Sequence, residues 1–265
     1  VSLLLLFERR TVVKNKNIIA KIFAVVFWIL MWQMVSIWVG KEVLVASPLA
    51  VIKVFGELVI EKTFWLSILI SLLRILIGFA AAVFVGTLLA VITYAMPRVY
   101  YLFYPIISVI KATPVASFII LALLWINSTN VPAFIAFLMV LPIIWSNVSS
   151  GIKNTDKKLL EMAAVYKFGR FKTIRLIYVP QCMDYFYTAC IMGIGFAWKA
   201  GIAAEVICTP KLSIGSNLYN AKIYLETPQL FAWTGVVISM SIVVEKLFKR
   251  TMKTAFHKHG SGGEE

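Results

Sequence analysis

The chain has 265 residues, 61% of them hydrophobic, and a formal net charge of +14. A soluble domain is nearer half apolar, so the composition argues against one, and recurring runs of about 20 apolar residues point to helices that cross a bilayer. The basic excess suits nucleic acid at first sight, but loops on the cytoplasmic side of membrane proteins collect Lys and Arg, and no nucleic-acid partner is inferred.

The runs do not alternate with a period of two, which argues against a β-barrel. Backbone groups in lipid must be satisfied internally, so the expected fold is all-α with about six transmembrane helices. Residues 1–21 read as a cytoplasmic N-terminal segment. Its short Ser2–Phe7 apolar run precedes Glu8-Arg9-Arg10, the wrong order and length for a signal-peptide core. A membrane domain then covers 22–250, with spans near Ile22–Gly40, Ile75–Ala95, Tyr101–Ile126, Val131–Ser150, Tyr185–Cys208 and Leu230–Leu247. Lys41–Trp65 is a long loop holding Ser47-Pro48 and a short amphipathic helix, whereas Asn127–Asn130 is so short that spans three and four form a tight hairpin. Residues 151–183 are a polar island, Thr209–Pro228 a second long loop, and 251–265 a cytoplasmic tail. The last six residues, Gly260–Glu265, carry no fold information.

Charge sets the expected orientation. With both termini in the cytoplasm, the inner side collects 18 of the 26 Lys and Arg, seven of them on the polar island. The outer loops hold only Lys41, Lys53, Lys62, Lys211 and Lys222. That bias follows the positive-inside rule.

Within the island, Thr155 or Asp156 is a fitting N-cap. A helix follows through Leu159, Leu160, Ala163 and Tyr166, which share one face at helical spacing. Gly169 is placed to end it in the left-handed conformation. Arg170–Tyr178 reads as a second short helix, and Pro180 as a bend into span five. The segment's physics leaves two readings open: an interfacial helix on anionic lipid, or a docking element for a cytosolic protein.

Glu161-Met162-Ala163-Ala164, followed by Ile177, Val179 and Pro180, resembles the EAA loop of permease subunits in binding-protein-dependent ABC importers. Ser47-Pro48, Ser71-Leu-Leu-Arg74 with Gly78-Phe79, Pro114-Val-Ala116, and Trp198 with Ala203-Ala-Glu205 resemble further motifs of that family in the same order. The combination is similar to its nitrate/sulfonate/taurine branch. The resemblance implies a type I importer permease fold and a coupling helix gripped by a cytosolic ABC ATPase dimer. It assigns the coupling role to Glu161, Met162, Ala163, Ala164, Tyr166, Lys167, Gly169 and Pro180. It further implies an extracytoplasmic substrate-binding protein, a second permease copy (a homodimer in the simplest case) and a multi-pass location in the cell inner membrane. Two departures stand out. The family's usual Ala is Met162 here, and its loop Gly aligns with Lys167, while this chain's Gly lies at Gly169.

Inside the spans, Gly78, Ala82 and Gly86, and Gly193, Ala197 and Gly201, recur every four residues. Such faces let helices pack closely, either within one subunit or, for span five, across a moving two-fold interface. Pro114 breaks the hydrogen-bond ladder of span three, as a kink or as a break facing a solute. An intramembrane cation is by default a candidate functional group. Lys111 and Lys199 therefore stand as candidates for an anion path along with Pro114, Trp198 and Glu205, the alternative being snorkelling or pairing, for example with Glu205. Arg74 reads as snorkelling at the outer interface, and Glu205, an acid near the outer end of span five, reads equally as an ion-pair partner, a gate residue or a hydrated group.

Cys182, Cys190 and Cys208 show no disulfide or metal spacing. His257 and His259 are confined to the tail, and there is no P-loop signature. No cofactor, metal or enzymatic centre is inferred. The leading expectation is a permease subunit whose ATP hydrolysis resides in a partner chain, carrying a small anionic solute. The alternatives are a stand-alone secondary transporter, which would be expected to show inverted repeats and coupling acids, and a membrane scaffold.

Overall fold

A computed structural model describes residues 22–260, with side chains from 255 onward and at 253 set aside. Its described regular elements are all helical: α1 (Ile22–Val39), α2 (Pro48–Ile60), α3 (Lys62–Ala95), α4 (Pro97–Ala112), α5 (Val115–Ala122) and α6 (Val131–Lys153). They continue with α7 (Lys157–Val165), α8 (Arg170–Thr173), a π turn (Ile174–Tyr178), α9 (Val179–Cys208), α10 (Ile214–Ile223) and α11 (Thr227–Gly260). Five helices are long and apolar enough to cross a bilayer, and six crossings result if α4 and α5 count as one broken span. The expected N-terminal segment, including Ser2–Phe7, lies outside the described residues.

Contacts divide the chain into two compact units. The smaller comprises α1, α2 and residues 220–234. Gly40 ends α1 at φ +64°. Ser47 then caps α2, its Oγ accepting from the Ala50 N–H at 3.3 Å, while Pro48 occupies the first turn, where its missing N–H costs nothing. Trp32 donates to the Ala46 carbonyl and stacks on Phe231 at 5.5 Å.

The larger unit comprises residues 62–219 and the chain from Gly235. Its core is α6, packed between α3 and α9. Glycines set the closeness of these contacts. A β-carbon at Gly78 would strike the Ala133 carbonyl of α6, and one at Gly86 would meet Ile144 Cβ at 2.9 Å. Gly193 faces Val140 and Phe79, and Gly201 faces Ile75. Both small-residue stripes are therefore consumed inside the subunit, and span five does not offer its glycines to a two-fold partner.

Several expected boundaries are corrected. Span two starts at Lys62 rather than Ile75, because Arg74 is no obstacle once paired, as described below; at about 1.5 Å per residue this helix outruns the bilayer core. Span three is not one helix: α4 and α5 diverge by 106° at Thr113-Pro114. The Thr113 N–H closes α4 on Val109, and Pro114, which has no N–H to give, starts a new direction. Spans four, five and six extend to Lys153, start at Val179 and start at Thr227, respectively.

Pro180 does not interrupt the helix. The helix runs on from Arg170 to Cys208, because the turn before the proline widens, the Val179 N–H reaching back five residues to the Ile174 carbonyl. One extra residue per turn makes room for the ring and the unserved carbonyl.

Candidate functional site

Three places on the larger unit carry polar chemistry: the α7 loop at one end, a cavity partway along the spans, and a buried cluster around Glu205 at the other end. In the loop, Asp156 is the N-cap, its Oδ1 accepting from the Lys158 N–H at 2.8 Å. Thr155 turns inward and donates to the Gly151 carbonyl at 3.3 Å. The left-handed residue is Lys167 (φ 51°), not Gly169, whose backbone is extended (φ −65°, ψ 157°). The reversal thus falls where the resembled family carries its glycine, and lysine bears the steric cost of that conformation. Phe168 N–H closes the turn onto the Ala163 carbonyl at 2.8 Å.

The residues read as sharing one face of α7 do not share one environment. Ala163 is 3% exposed, with Leu159 and Leu160 partly buried beside it, so this face packs on the chain itself. Glu161, Met162, Ala164, Val165 and Tyr166 point outward, Val165 being 78% and Tyr166 71% exposed. Lys167 and Gly169 are exposed as well, as is Pro180.

The cavity, about 660 Å³, lies between α4, α5, α6 and α9. Lys111 and Thr113 line it from the end of α4, Val115 from the start of α5, Ser146 and Asn147 from α6, and Lys199 from α9. The break at Pro114 lets α4 end beside the space instead of passing it. On α9, Met192, Phe196, Lys199 and Ala203 form one exposed stripe at helical spacing, opposite the packed glycines. Asn147 Nδ2 donates to the Ile143 carbonyl at 2.8 Å, which leaves its amide oxygen as an acceptor. A second recess of about 470 Å³, lined by Thr87, Val91 and Phe186 among others, brings no charged group together.

Of the expected path residues, Lys111 and Lys199 converge on this cavity and Pro114 shapes it. Trp198 and Glu205 do not reach it. Trp198 is buried, its Nε1 donating to the Val237 carbonyl of α11 at 3.1 Å. Glu205 is fully buried at the opposite end of the spans from α7. Its Oε2 accepts from Ser71 Oγ at 2.8 Å and from the Gly215 N–H at 3.2 Å, and its Oε1 lies 3.6 Å from Arg74 Nη1. Arg74 also donates to the Lys211 and Leu212 carbonyls. Arg74 therefore pairs rather than snorkels, and Glu205 serves Arg74 rather than a lysine. The Ser71 hydroxyl accepts from the Ile214 N–H at 3.0 Å, so the cluster pins the loop between α9 and α10.

Sequence reasoning misses three groups. Ser146 and Asn147 sit in a buried-looking helix, although two adjacent hydrogen-bonding side chains in a span are a readable signal. Glu245 is also missed: it lies within the range read as span six, masked by Lys246 and Lys249 after it.

These features define a class: a multi-pass α-helical membrane protein with two lysines on one half-open cavity and an exposed helical loop. The chain belongs to the binding-protein-dependent transport system inner membrane component family, which matches residues 82–249. It is 22% identical over 213 residues to a Bacillus subtilis protein described as an aliphatic sulfonates transport permease, covering 79% of this chain and 76% of that one. It is 23% identical over 236 residues to the nitrate import permease of Synechocystis, covering 84% and 85%. Its fold is similar to a crystal structure of an amino acid ABC transporter with histidines, at a TM-score of 0.58 and 14% identity over 72% of this chain and 91% of that one.

Proposed function

We propose that this permease subunit forms half of the translocation path of an ATP-driven importer, with the α7 end in the cytoplasm and both termini there. A second copy closes the exposed stripe of α9. A separate ABC ATPase dimer grips the outward face of α7, and a substrate-binding protein delivers solute at the other end. The solute is a small anion of the sulfonate, nitrate or taurine kind. The observation that carries the anion reading is the cavity: two lysines, unpaired by any carboxylate within 4.0 Å among the described residues, face one space inside the spans. An intramembrane cation is costly and is retained where it serves a solute or a partner. The names of the relatives support the same chemistry. Coupling requires that the ATPase bind the outward-open state more tightly than the inward-open one.

The test is a pull-down of tagged chain from mild detergent, followed by uptake in proteoliposomes. The reading expects an ATPase subunit in the pull-down and uptake that requires ATP. Proton-linked uptake without ATP would replace it with the secondary-transporter reading.

A further inference from the structure

Glu245 is a carboxylate on α11 that no described cation approaches within 4.0 Å. It is only partly exposed, and it lies against α9 where α9 has no side chain: a β-carbon at Gly195 would meet Glu245 Oε1 at 2.9 Å. Lys199 stands one helical turn further along α9. Residues four apart on a helix are neighbours, with β-carbons about 5–6 Å apart. A helical side chain also leans toward its own N-terminus, over the preceding turn. The stem of Lys199 is thus directed over Gly195. The contacts Trp198–Val237 and Gly195–Glu245 show that α9 and α11 run antiparallel, so the Glu245 side chain leans the opposite way along the bundle, toward Lys199. Glu245 thus abuts α9 one helical turn before Lys199, at a position where α9 carries only glycine.

We propose that Glu245 is a positioning residue for the cavity: it is the resident counter-charge of Lys199, which swings between the carboxylate when the cavity is empty and an anion when it is filled. This rests on the anion-path reading above. Gly195 is the position that admits the exchange, because any side chain there would stand between the two groups. Glu245 then competes with the solute, weakening its hold and hastening its release. Lys249, four residues after Glu245 on α11, is the competing partner that the test must separate.

Two measurements on the purified permease, in detergent, decide it. The first needs no solute. Lys199→Glu places two carboxylates together and should lower the thermal midpoint; adding Glu245→Lys should restore it. Failure of the double reversal to recover more than the sum of the single changes overturns the pairing. The second follows the stabilisation by nitrate, against chloride at equal ionic strength. Glu245→Gln should lower the half-maximal nitrate concentration by roughly 5- to 10-fold, within the usual range of coupling between sites. Lys199→Met should abolish the response, and Glu245→Gln should then be silent. An absent nitrate effect in the unaltered protein overturns the anion path, whereas the charge-reversal result still judges the pair. A nitrate shift from Glu245→Gln that persists in the Lys199→Met background, or is reproduced by Lys249→Met, overturns the counter-charge role alone.

Discussion

The two faces of α7 predict opposite outcomes for substitutions three residues apart. Ala163 is 3% exposed and its carbonyl holds the Phe168 N–H. Enlarging it to Trp forces the helix off the chain's own surface; overpacking of a closed site costs about 1–3 kcal/mol. Tyr166 is 71% exposed, and its ring centroid lies 6.4 Å from that of Phe168. Its truncation to Ala should move the stability of the isolated permease by no more than about 0.5 kcal/mol. If its ring is an anchor in an ATPase groove, the same truncation should cost about 2 kcal/mol or more of binding, some 30-fold in affinity. Thermal unfolding of the purified permease, together with titration of its ATPase partner onto immobilised permease, separates the two. Ala163→Trp should lose stability and, through it, binding. Tyr166→Ala should lose binding alone. A Tyr166→Ala permease that holds the ATPase with unchanged affinity would refute the assignment of the outward face as the gripped one.

Further outcomes follow from the packing. Gly78→Ala should destabilise toward the upper part of the roughly 1–3 kcal/mol overpacking range, because the obstructing group is the Ala133 backbone and cannot rotate away; Gly56→Ala, with nothing within 4 Å, should instead stabilise by about 0.4–1 kcal/mol, and thermal midpoints in one detergent compare them. Glu205→Ala, which removes the charge opposite Arg74 and frees Ser71 and Gly215, should cost roughly 3–5 kcal/mol, while Glu205→Gln keeps one oxygen for Ser71 and Gly215 but still loses the Arg74 pair and should cost less than Ala; limited proteolysis at 209–213 reports the loosened loop. Lys167→Gly relieves a left-handed lysine and should raise stability by up to about 1 kcal/mol, read as a higher thermal midpoint.

The crossings were legible because lipid imposes one rule on every backbone group, and the cap of α7 was narrowed to Thr155 or Asp156 because both are short acceptors at the start of a helical pattern. The facing of α7 was not legible. Leu159, Leu160 and Ala163 mark an apolar face, but periodicity says only that the face is covered, not whether the chain or a partner covers it. The π turn was invisible for a related reason: Pro180 requires relief, and a bend and a widened turn relieve it equally well in the sequence. Lys111 and Lys199 could be picked out singly as misplaced charges. Their meeting could not, since it depends on the 106° break beside Pro114. The partner of Glu205 could not be named, because Arg74, over a hundred residues away, looks by itself like an interfacial cation.

The continuity of α9 ties these parts into one mechanism. In the proposed importer, the helix that leaves the gripped loop at Arg170 carries Lys199 on its cavity face and ends at Glu205, the acid that pins the far loop. The run from Arg170 to Cys208 is 39 residues, about 58 Å at helical rise. A bend at Pro180 would let the loop move without moving the lysine. The widened turn keeps the helix continuous past the proline, so the loop and the lysine stand on one uninterrupted helix. Displacement of α7 must then shift Lys199 along the cavity or pull against the Arg74–Glu205 anchor. The glycines at 193 and 201 add no slack, since Val140 and Ile75 already fill them. In that proposed importer the expected transmission is a shift of α9 against α6 and α3 that changes the contacts of Lys199.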